Sequence, residues 1–310
     1  CQELIKGTSS VCRRWLKAPF HADGWRLDAP NMLGRDGTDA GNKELWREFR
    51  QAVKTERPDA YFMGECFPEA TSWLQGDTFD GVMNYKGFTI PVLQWLTGKD
   101  LHMHPAAIDG QSLVQWLTAM MARVPFVLRN LQYNCLSSHD IARFISRVEP
   151  GEPYFRLGLL FQMAFPGVPA LYYGEEIGLE GVKDPDNRRP MHWERIQDSP
   201  CSLFSLVARV VRHRRALKVL QQGAMRFLIA KPDVIAWSRW LKNDLLIAVF
   251  NRSTQAQEVS IPVNVMGCQN GGKFYLFEST GEELSNSFMV ESGELIVPMK
   301  PISGVWLRWT

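Results

Sequence analysis

The chain has 310 residues, 45% of them hydrophobic, and a formal net charge of +2. This length and apolar content allow one large domain with a buried core, or one large and one small domain. The sequence contains no run of five like charges, so it does not indicate a nucleic-acid or membrane-surface patch. Its apolar runs are far shorter than the roughly 20 residues that span a bilayer.

Up to about residue 219, short apolar runs alternate with helical patterns, which is typical of βα units and a parallel sheet. Five strands are predicted, at residues 24–28, 60–65, 81–85, 133–137 and 169–173. A helix is predicted after Asn42, because Leu45, Trp46, Phe49 and Val53 share one face. Further helices are predicted at residues 154–165 and 203–211.

From about residue 220, the sequence changes to short β-rich runs that are separated by turn residues such as Asn270, Gly271 and Gly272. Seven strands are predicted, at residues 225–230, 234–240, 245–251, 258–262, 273–277, 294–298 and 304–309. This pattern predicts a small antiparallel β-sandwich. We therefore expect two domains, residues 1–219 and residues 220–310.

The six cysteines are scattered and form no C-x-x-C pair, which favours reduced thiols in a cytoplasmic protein over disulfides or a zinc site. Cys1 is an unusual first residue. A processed, lipid-modified terminus would explain it, but we expect a truncated chain. His102 and His104 lie two residues apart in a polar loop without a cluster of acids or cysteines, so we expect no metal and no cofactor.

Three of the predicted strands lead into an acid: Asp28, Glu65 and Asp140. The strands of a parallel α/β barrel end at one face, so these three acids would converge on one pocket. A single acid at a strand end is more often a turn residue or a helix cap. Three such acids, with Arg26 and His139 beside them, are hard to explain as turns.

Two carboxylates at short range, with a third nearby, are what retaining glycoside hydrolysis requires. Asp28 is then the nucleophile, and Arg26, on the same face of the strand, keeps it ionised. Glu65 is the general acid, and holding its proton requires partial desolvation. Asp140 and His139 bind sugar hydroxyls and stabilise the positive charge that develops on the ring.

Asn84 and Tyr85 end the third predicted strand and are further candidates for lining the pocket. Both are assigned to substrate binding, which completes the expected set of site residues.

The segments "DGWRLDAPN", "YFMGECF" and "LSSHD" resemble three sequence blocks of the alpha-amylase family of glycoside hydrolases. In that family they carry the nucleophile, the acid/base and the transition-state stabiliser, so the resemblance gives Arg26, Asp28, Glu65, His139 and Asp140 the same roles. "GVMNYKGF", "FPGVPALYYGEEIGLEG" and "DPDNRRPMHW" extend the resemblance over almost the whole chain. It implies an α/β fold, a (β/α)8 TIM barrel, of which we find strands resembling the fourth to the eighth, followed by the C-terminal antiparallel β-sandwich.

The resemblance is strongest to the branch that contains maltodextrin glucosidases, neopullulanases and cyclomaltodextrinases. We first expect a retaining hydrolase that cleaves alpha-1,4 bonds of short maltodextrins, as a maltodextrin glucosidase does. Cyclomaltodextrinase, neopullulanase or transglycosylase activity is the alternative within the family. A catalytically silent carbohydrate-binding fragment or subunit is the alternative from another class.

Malto-oligosaccharide is therefore the expected partner, without nucleic acid or membrane, and the oligomeric state stays open. The first strands of the barrel and the N-terminal domain typical of this branch are not found, so the missing N-terminal half is a further expected partner. A parallel sheet with an open edge exposes unpaired backbone groups. We expect the isolated chain to have little activity, because its donor-sugar pocket lacks one wall.

Overall fold

The computed structural model describes residues 2–35, 37–38, 40–197, 201–281 and 284–309. The chain forms two compact units. The first comprises Cys1–Phe88 and Ala119–Asn134, and the second comprises Thr89–Thr118 and Cys135–Thr310. Both sides of the predicted domain boundary at residue 219 lie in the second unit, so that boundary stays a prediction.

Helices and short strands are interspersed up to Gln222, and longer strands follow. The α-helices of the described residues are α1 (Val11–Arg14), α2 (Ala40–Glu56), α3 (Ile90–Thr97), α4 (Gly110–Arg123), α5 (Phe126–Arg129), α6 (Gly151–Ala164), α7 (Glu194–Gln197), α8 (Ser202–Ala216) and α9 (Lys218–Gln222). The β-strands are β1 (Gly24–Leu27), β2 (Tyr61–Gly64), β3 (Gly81–Val82), β4 (Tyr133–Cys135), β5 (Val168–Ala170), β6 (Ala224–Ala230), β7 (Val234–Leu241), β8 (Asp244–Asn251), β9 (Gln257–Pro262), β10 (Lys273–Ser279), β11 (Ser287–Glu291), β12 (Glu294–Met299) and β13 (Ser303–Trp309).

The first unit is built on a parallel sheet in the order β1-β2-β3. Helix α2 connects β1 to β2, and its Phe49 ring stacks on Phe62 of β2 with ring centroids 5.4 Å apart. The buried Asp80 carboxylate accepts hydrogen bonds from Arg50 and Lys54 of the same helix, both at 2.8 Å. Apolar stacking and these ion pairs together fix the helix against the sheet.

The second unit contains α6, which is buried along most of its length because it packs against α3, α8, β8 and β13. A helix that is apolar on all sides belongs in a core. Two buried arginines serve the same core: Arg214 and Arg239 donate to backbone carbonyls, including Met163 O at 2.8 Å and Ala164 O at 2.7 Å. They satisfy carbonyl groups at the end of α6, which has no intrahelical partners for them.

The C-terminal strands form one antiparallel sheet in the order β6-β7-β8-β13-β10-β11-β12-β9. The expected antiparallel domain is present, with two corrections. It contains an additional strand, β11, and its strands make one continuous hydrogen-bonded sheet rather than two separate ones. Because residues from both ends of the sheet, such as Val249 and Val297, share one apolar core, the sheet still encloses its core as a sandwich does.

All five predicted strands of the α/β part are present, but each is shorter than predicted. Strand β1 ends at Leu27 and β2 ends at Gly64, so the acids Asp28 and Glu65 lie just beyond the hydrogen-bonded pairs. This position places carboxylates where the backbone leaves the sheet, the usual location of functional groups in a parallel α/β fold.

Candidate active site

Arg26 and Asp28 extend from the same face of β1, as the alternation of strand side chains requires. Arg26 Nη1 lies 2.6 Å from Asp28 Oδ1, and the Asp28 side chain is 82% exposed. Leu27, between them, is buried on the opposite face. The chain then turns sharply, because Ala29 has a φ of 36°, in the left-handed region that a residue with a Cβ rarely adopts.

Glu65 lies beside this turn because β1 and β2 are parallel and Leu27 pairs with Gly64. The Glu65 N–H continues the ladder by donating to Leu27 O at 2.9 Å. The Glu65 side chain is only 7% exposed, and its Oε1 lies 3.0 Å from Arg26 Nη2. Its Oε2 accepts the Ala29 N–H at 3.2 Å, so the carboxylate also holds the strained turn in place.

One guanidinium therefore contacts two carboxylates, through a different nitrogen for each. Because the guanidinium is rigid and planar, the bonded oxygens of Asp28 and Glu65 lie within about 8 Å of each other. The two carboxylates are about 5 to 5.5 Å apart in retaining glycosidases and about 6.5 to 9.5 Å apart in inverting ones, so this upper bound admits both reactions. The sequence predicted the contact of Arg26 with Asp28, and the structure adds the contact with Glu65.

The environments of the two carboxylates differ strongly. Asp28 is open to solvent, whereas Glu65 is almost completely covered. Cys66, the next residue, shows how apolar this environment is, because burial raises the pKa of its thiol to about 12, with a smaller contribution from the Glu65 charge. A buried acid beside an exposed one is the arrangement that separates a proton donor from a nucleophile.

The residues after β3 differ in how exposed they are. Asn84 is partly exposed and its Nδ2 donates to Asn134 Oδ1 at 2.9 Å, which leaves it near a surface. Tyr85 is 0% exposed, and its assignment to substrate binding stays a prediction. Phe67 stacks on Tyr85 with centroids 4.1 Å apart and is itself 38% exposed.

Phe67 is not among the residues predicted from the sequence to line the site. It lies two residues after Glu65, and this spacing was the signal that could have identified an aromatic ring beside the acid. The buried Tyr85 ring stacks on this exposed ring and holds its orientation.

His139 and Asp140 belong to the second unit and lie in a turn after β4. His139 Nε2 is 3.0 Å from Asp140 Oδ2, and both side chains are about one-third exposed. Arg188 Nη2 lies 3.5 Å from Asp140 Oδ1, so the carboxylate has a cation on one side and an imidazole on the other. The convergence of Asp140 with Asp28 and Glu65 on one pocket stays a prediction.

A buried acid, Glu175, lies at the base of this turn. The Glu175 carboxylate accepts hydrogen bonds from the Ser137 hydroxyl and, at 2.8 Å, from the Tyr172 N–H. Ser137 Oγ also accepts the Phe144 N–H at 2.9 Å. Burial raises the pKa of Glu175 to about 7, and these hydrogen bonds and the nearby Arg143 oppose this effect.

Among the described residues, no group of three or more histidine, cysteine or acidic side chains is arranged to hold a metal ion. His104 Nδ1 lies 3.5 Å from Asp100 Oδ2, and the rings of His102 and His104 are 6.2 Å apart. Over the same residues, the structure contains no helix with the length and apolar character needed to cross a membrane.

Comparisons with known proteins identify the family to which the chain is similar. The family model of the alpha-amylase catalytic domain matches residues 2–222. Neopullulanase 2 of Thermoactinomyces vulgaris is 34% identical over 299 residues, which are 96% of this chain and 46% of that protein. A cyclomaltodextrinase of Geobacillus thermopakistaniensis is 31% identical over 301 residues, 96% of this chain and 47% of that enzyme.

The solved structure of the native debranching enzyme of Nostoc punctiforme superposes with a TM-score of 0.81 at 28% identity, covering 96% of this chain and 60% of that one. The chain thus spans about half the length of the curated relatives it matches. These neighbours imply a TIM-barrel catalytic domain, to which the antiparallel sheet β6–β13 is added. With the catalytic-domain model covering most of its length, the chain belongs to the alpha-amylase family.

Proposed function

We propose that this chain carries the catalytic carboxylates of a retaining glycoside hydrolase that cleaves alpha-1,4-glucosidic bonds of malto-oligosaccharides. The observation that carries the proposal is the pair Asp28 and Glu65, held by one arginine with one carboxylate exposed and the other buried. Family membership supports the reaction class, and the pair supplies the two groups that the reaction needs.

In the first step, Glu65 donates a proton to the glycosidic oxygen while Asp28 Oδ attacks the anomeric carbon. The bond between that carbon and the leaving oxygen breaks, the leaving sugar departs as an alcohol, and a glycosyl ester with Asp28 remains. In the second step, the Glu65 carboxylate removes a proton from water, whose oxygen displaces Asp28. Two inversions at one carbon give net retention.

The difference in exposure supports these roles. A nucleophile must reach the substrate, and Asp28 extends into solvent at the end of β1. A proton donor benefits from desolvation, and Glu65 is nearly enclosed. Arg26 has a double role: it aligns both carboxylates, and its charge stabilises Asp28 as the anion that attacks.

His139 and Asp140 complete the proposal. An acidic group beside a sugar ring interacts more strongly as positive charge develops on that ring. We assign this stabilisation to Asp140, with His139 and Arg188 fixing the direction of its two oxygens at 3.0 and 3.5 Å. Asn84 is assigned to substrate binding, and Phe67 offers an apolar face for the C–H side of a sugar.

The substrate proposal rests on relatives named neopullulanase and cyclomaltodextrinase. We place short linear maltodextrins first, as for a maltodextrin glucosidase, and cyclomaltodextrins, pullulan and transglycosylation as the alternatives. Initial rates on maltotriose, cyclomaltoheptaose and pullulan separate them. The highest kcat/KM on maltotriose supports the first, and a preference for the cyclic sugar or for pullulan overturns it.

We also propose that β1 to β5 correspond to the fourth to the eighth strands of the family barrel, that a longer, full-length protein supplies the earlier strands, and that this chain alone has little activity. A cytoplasmic location is likewise a proposal, supported by the free thiols of the five described cysteines. The expected low activity of this chain alone is tested by measuring hydrolysis by the 310-residue chain beside the full-length protein. Equal rates would overturn it.

The reaction is tested with Asp28→Asn and Glu65→Gln in the full-length protein, measured on maltotriose. Both variants should lose kcat by several orders of magnitude while retaining substrate binding. Asp59→Asn is the matched control, since Asp59 is 78% exposed and pairs with an arginine, Arg57, at 3.3 Å. The first-formed anomer, read by proton NMR, should be alpha. Binding without turnover in the unchanged protein would favour the silent carbohydrate-binding alternative instead.

A further inference from the structure

We propose that Asn187 is a positioning residue that fixes the turn carrying His139 and Asp140. This inference rests on the proposed function, because Asp140 matters to the reaction only if that proposal is correct. Asn187 is 0% exposed and lies in the short 3-10 helix Asp186–Arg188, distant in sequence from the turn. The hydrogen bonds of its side-chain amide all go to backbone oxygens of that turn.

The contacts of Asn187 are concentrated on one stretch of backbone. Its Nδ2 lies 3.3 Å from Ser138 O, 3.0 Å from His139 O and 3.0 Å from Ile141 O. Those three carbonyls flank Asp140 on both sides. A single amide group, with two N–H donors, thus gathers the backbone around the acid into one fixed shape.

Asn187 can hold the turn only because it is itself held. Its backbone N–H donates to Lys183 O at 3.1 Å, and its backbone carbonyl oxygen accepts a hydrogen bond from Arg143 Nε at 2.9 Å. Gly181 packs so closely that a Cβ there would lie 2.6 Å from Asn187 Cα, which makes a side chain at position 181 incompatible with this packing. The Arg143 N–H in turn donates to Gly181 O at 2.9 Å, closing the arrangement.

Arg188, the next residue, contacts the Asp140 carboxylate itself, and this contrast shows that Asn187 acts on the backbone of the turn. Arg188 reaches the Asp140 carboxylate directly and also donates Nε to His139 O at 3.1 Å. Asn187 touches backbone carbonyls and not the carboxylate, so any effect it has on the reaction passes through the position of Asp140. Replacing its amide by a group without N–H donors would leave three carbonyl oxygens beside an acceptor or a void.

Misplacing a group at a reacting centre by about 1 Å can cost a factor of about 100 in rate. We therefore expect Asn187→Asp in the full-length protein to lower kcat on maltotriose by about 100-fold with KM changed by less than about threefold. Binding of 1-deoxynojirimycin, a sugar mimic that carries positive charge, should weaken by a similar factor. Binding of glucose should stay unchanged, because it lacks that charge.

The chain offers a matched control in Asn251, which is also fully buried and also holds a turn. Its Nδ2 donates to Gln255 O at 3.0 Å and Lys300 O at 2.9 Å, within the C-terminal sheet. Asn251→Asp should lower the Tm about as much as Asn187→Asp but leave kcat and 1-deoxynojirimycin binding unchanged. The same comparison with Asn187→Ala and Asn251→Ala decides the matter if either aspartate variant fails to fold.

The proposal is overturned if kcat of the Asn187 variants stays within twofold of the unchanged protein, or if the Asn251 variants lose kcat equally. Its failure is distinguishable from failure of the proposed function. If only the Asn187 proposal fails, Asp28→Asn is inactive while Asn187→Asp has normal kcat. If the proposed function fails, Asp28→Asn itself remains active.

Discussion

The buried Glu175 should make the unfolding free energy of the protein depend on pH, by an amount that follows from its pKa shift. Its carboxyl is buried at the base of the turn that leads to His139 and Asp140, and burial raises its pKa from 4.5 to about 7. The folded protein therefore binds this proton more tightly than the unfolded chain does. The contribution of protonated Glu175 to the unfolding free energy is fully present below about pH 4.5. It is lost as the pH rises through about 7.

A difference of about 2.5 pKa units corresponds to roughly 3 kcal/mol of unfolding free energy. In Glu175→Gln the titrating group is absent while the side chain keeps its shape, so this loss should not occur. The variant should gain about 3 kcal/mol relative to the unchanged protein between about pH 4.5 and about pH 8. All other groups titrate in both proteins, and their contributions cancel in the difference.

The assay is urea unfolding of both proteins at several pH values across that range. Glu180→Gln is the control, because it removes an acid that is exposed at the surface. The reasoning is refuted if the difference in unfolding free energy between Glu175→Gln and the unchanged protein is constant with pH. It is also refuted if the unchanged protein becomes relatively more stable as the pH rises. Either result would mean that Glu175 is ionised in the folded state over the whole range.

Two further predictions concern the carboxylate pair and the exposed ring beside it. Arg26→Met should lower the unfolding free energy by about 1 to 3 kcal/mol, because the buried Glu65 carboxyl loses a hydrogen-bond donor; Arg26→Lys should recover only part, because one ammonium cannot contact both carboxylates as a guanidinium does. Urea unfolding measures both, and an unchanged midpoint for Arg26→Met contradicts the assigned contact. Phe67→Ala should raise KM for maltotriose about tenfold with little change in kcat, if its ring stacks on sugar; a KM within twofold of normal rules that contact out.

Much of the candidate site was predictable because strand alternation is a strict rule. Arg26 and Asp28 had to share one face of β1, and their contact at 2.6 Å follows from two residues of extended chain. The proximity of Glu65 followed from the expectation of a parallel sheet, whose strands end at one edge. Each of these inferences uses only local geometry and sheet direction.

What the sequence could not supply depends on packing between distant segments. The amide of Asn187 meets carbonyls 46 to 49 residues away, and nothing in the residues near position 187 specifies those partners. Tyr85 and Phe67 form one stacked pair, but only three-dimensional packing decides which ring is buried and which is exposed. Strand β11 was missed because it is short and its pairing with β10 and β12, not its composition, makes it a strand.

The identity of the nucleophile is tested most directly by trapping the covalent intermediate. The full-length protein is incubated with a fluorinated glucosyl fluoride, which forms the glycosyl ester faster than water removes it, and its peptides are sequenced by mass spectrometry. One glucosyl group is expected, attached to Asp28 at the end of β1. A label on Glu65 or on any other residue, or an active protein that gives the inverted anomer and no label, would contradict it.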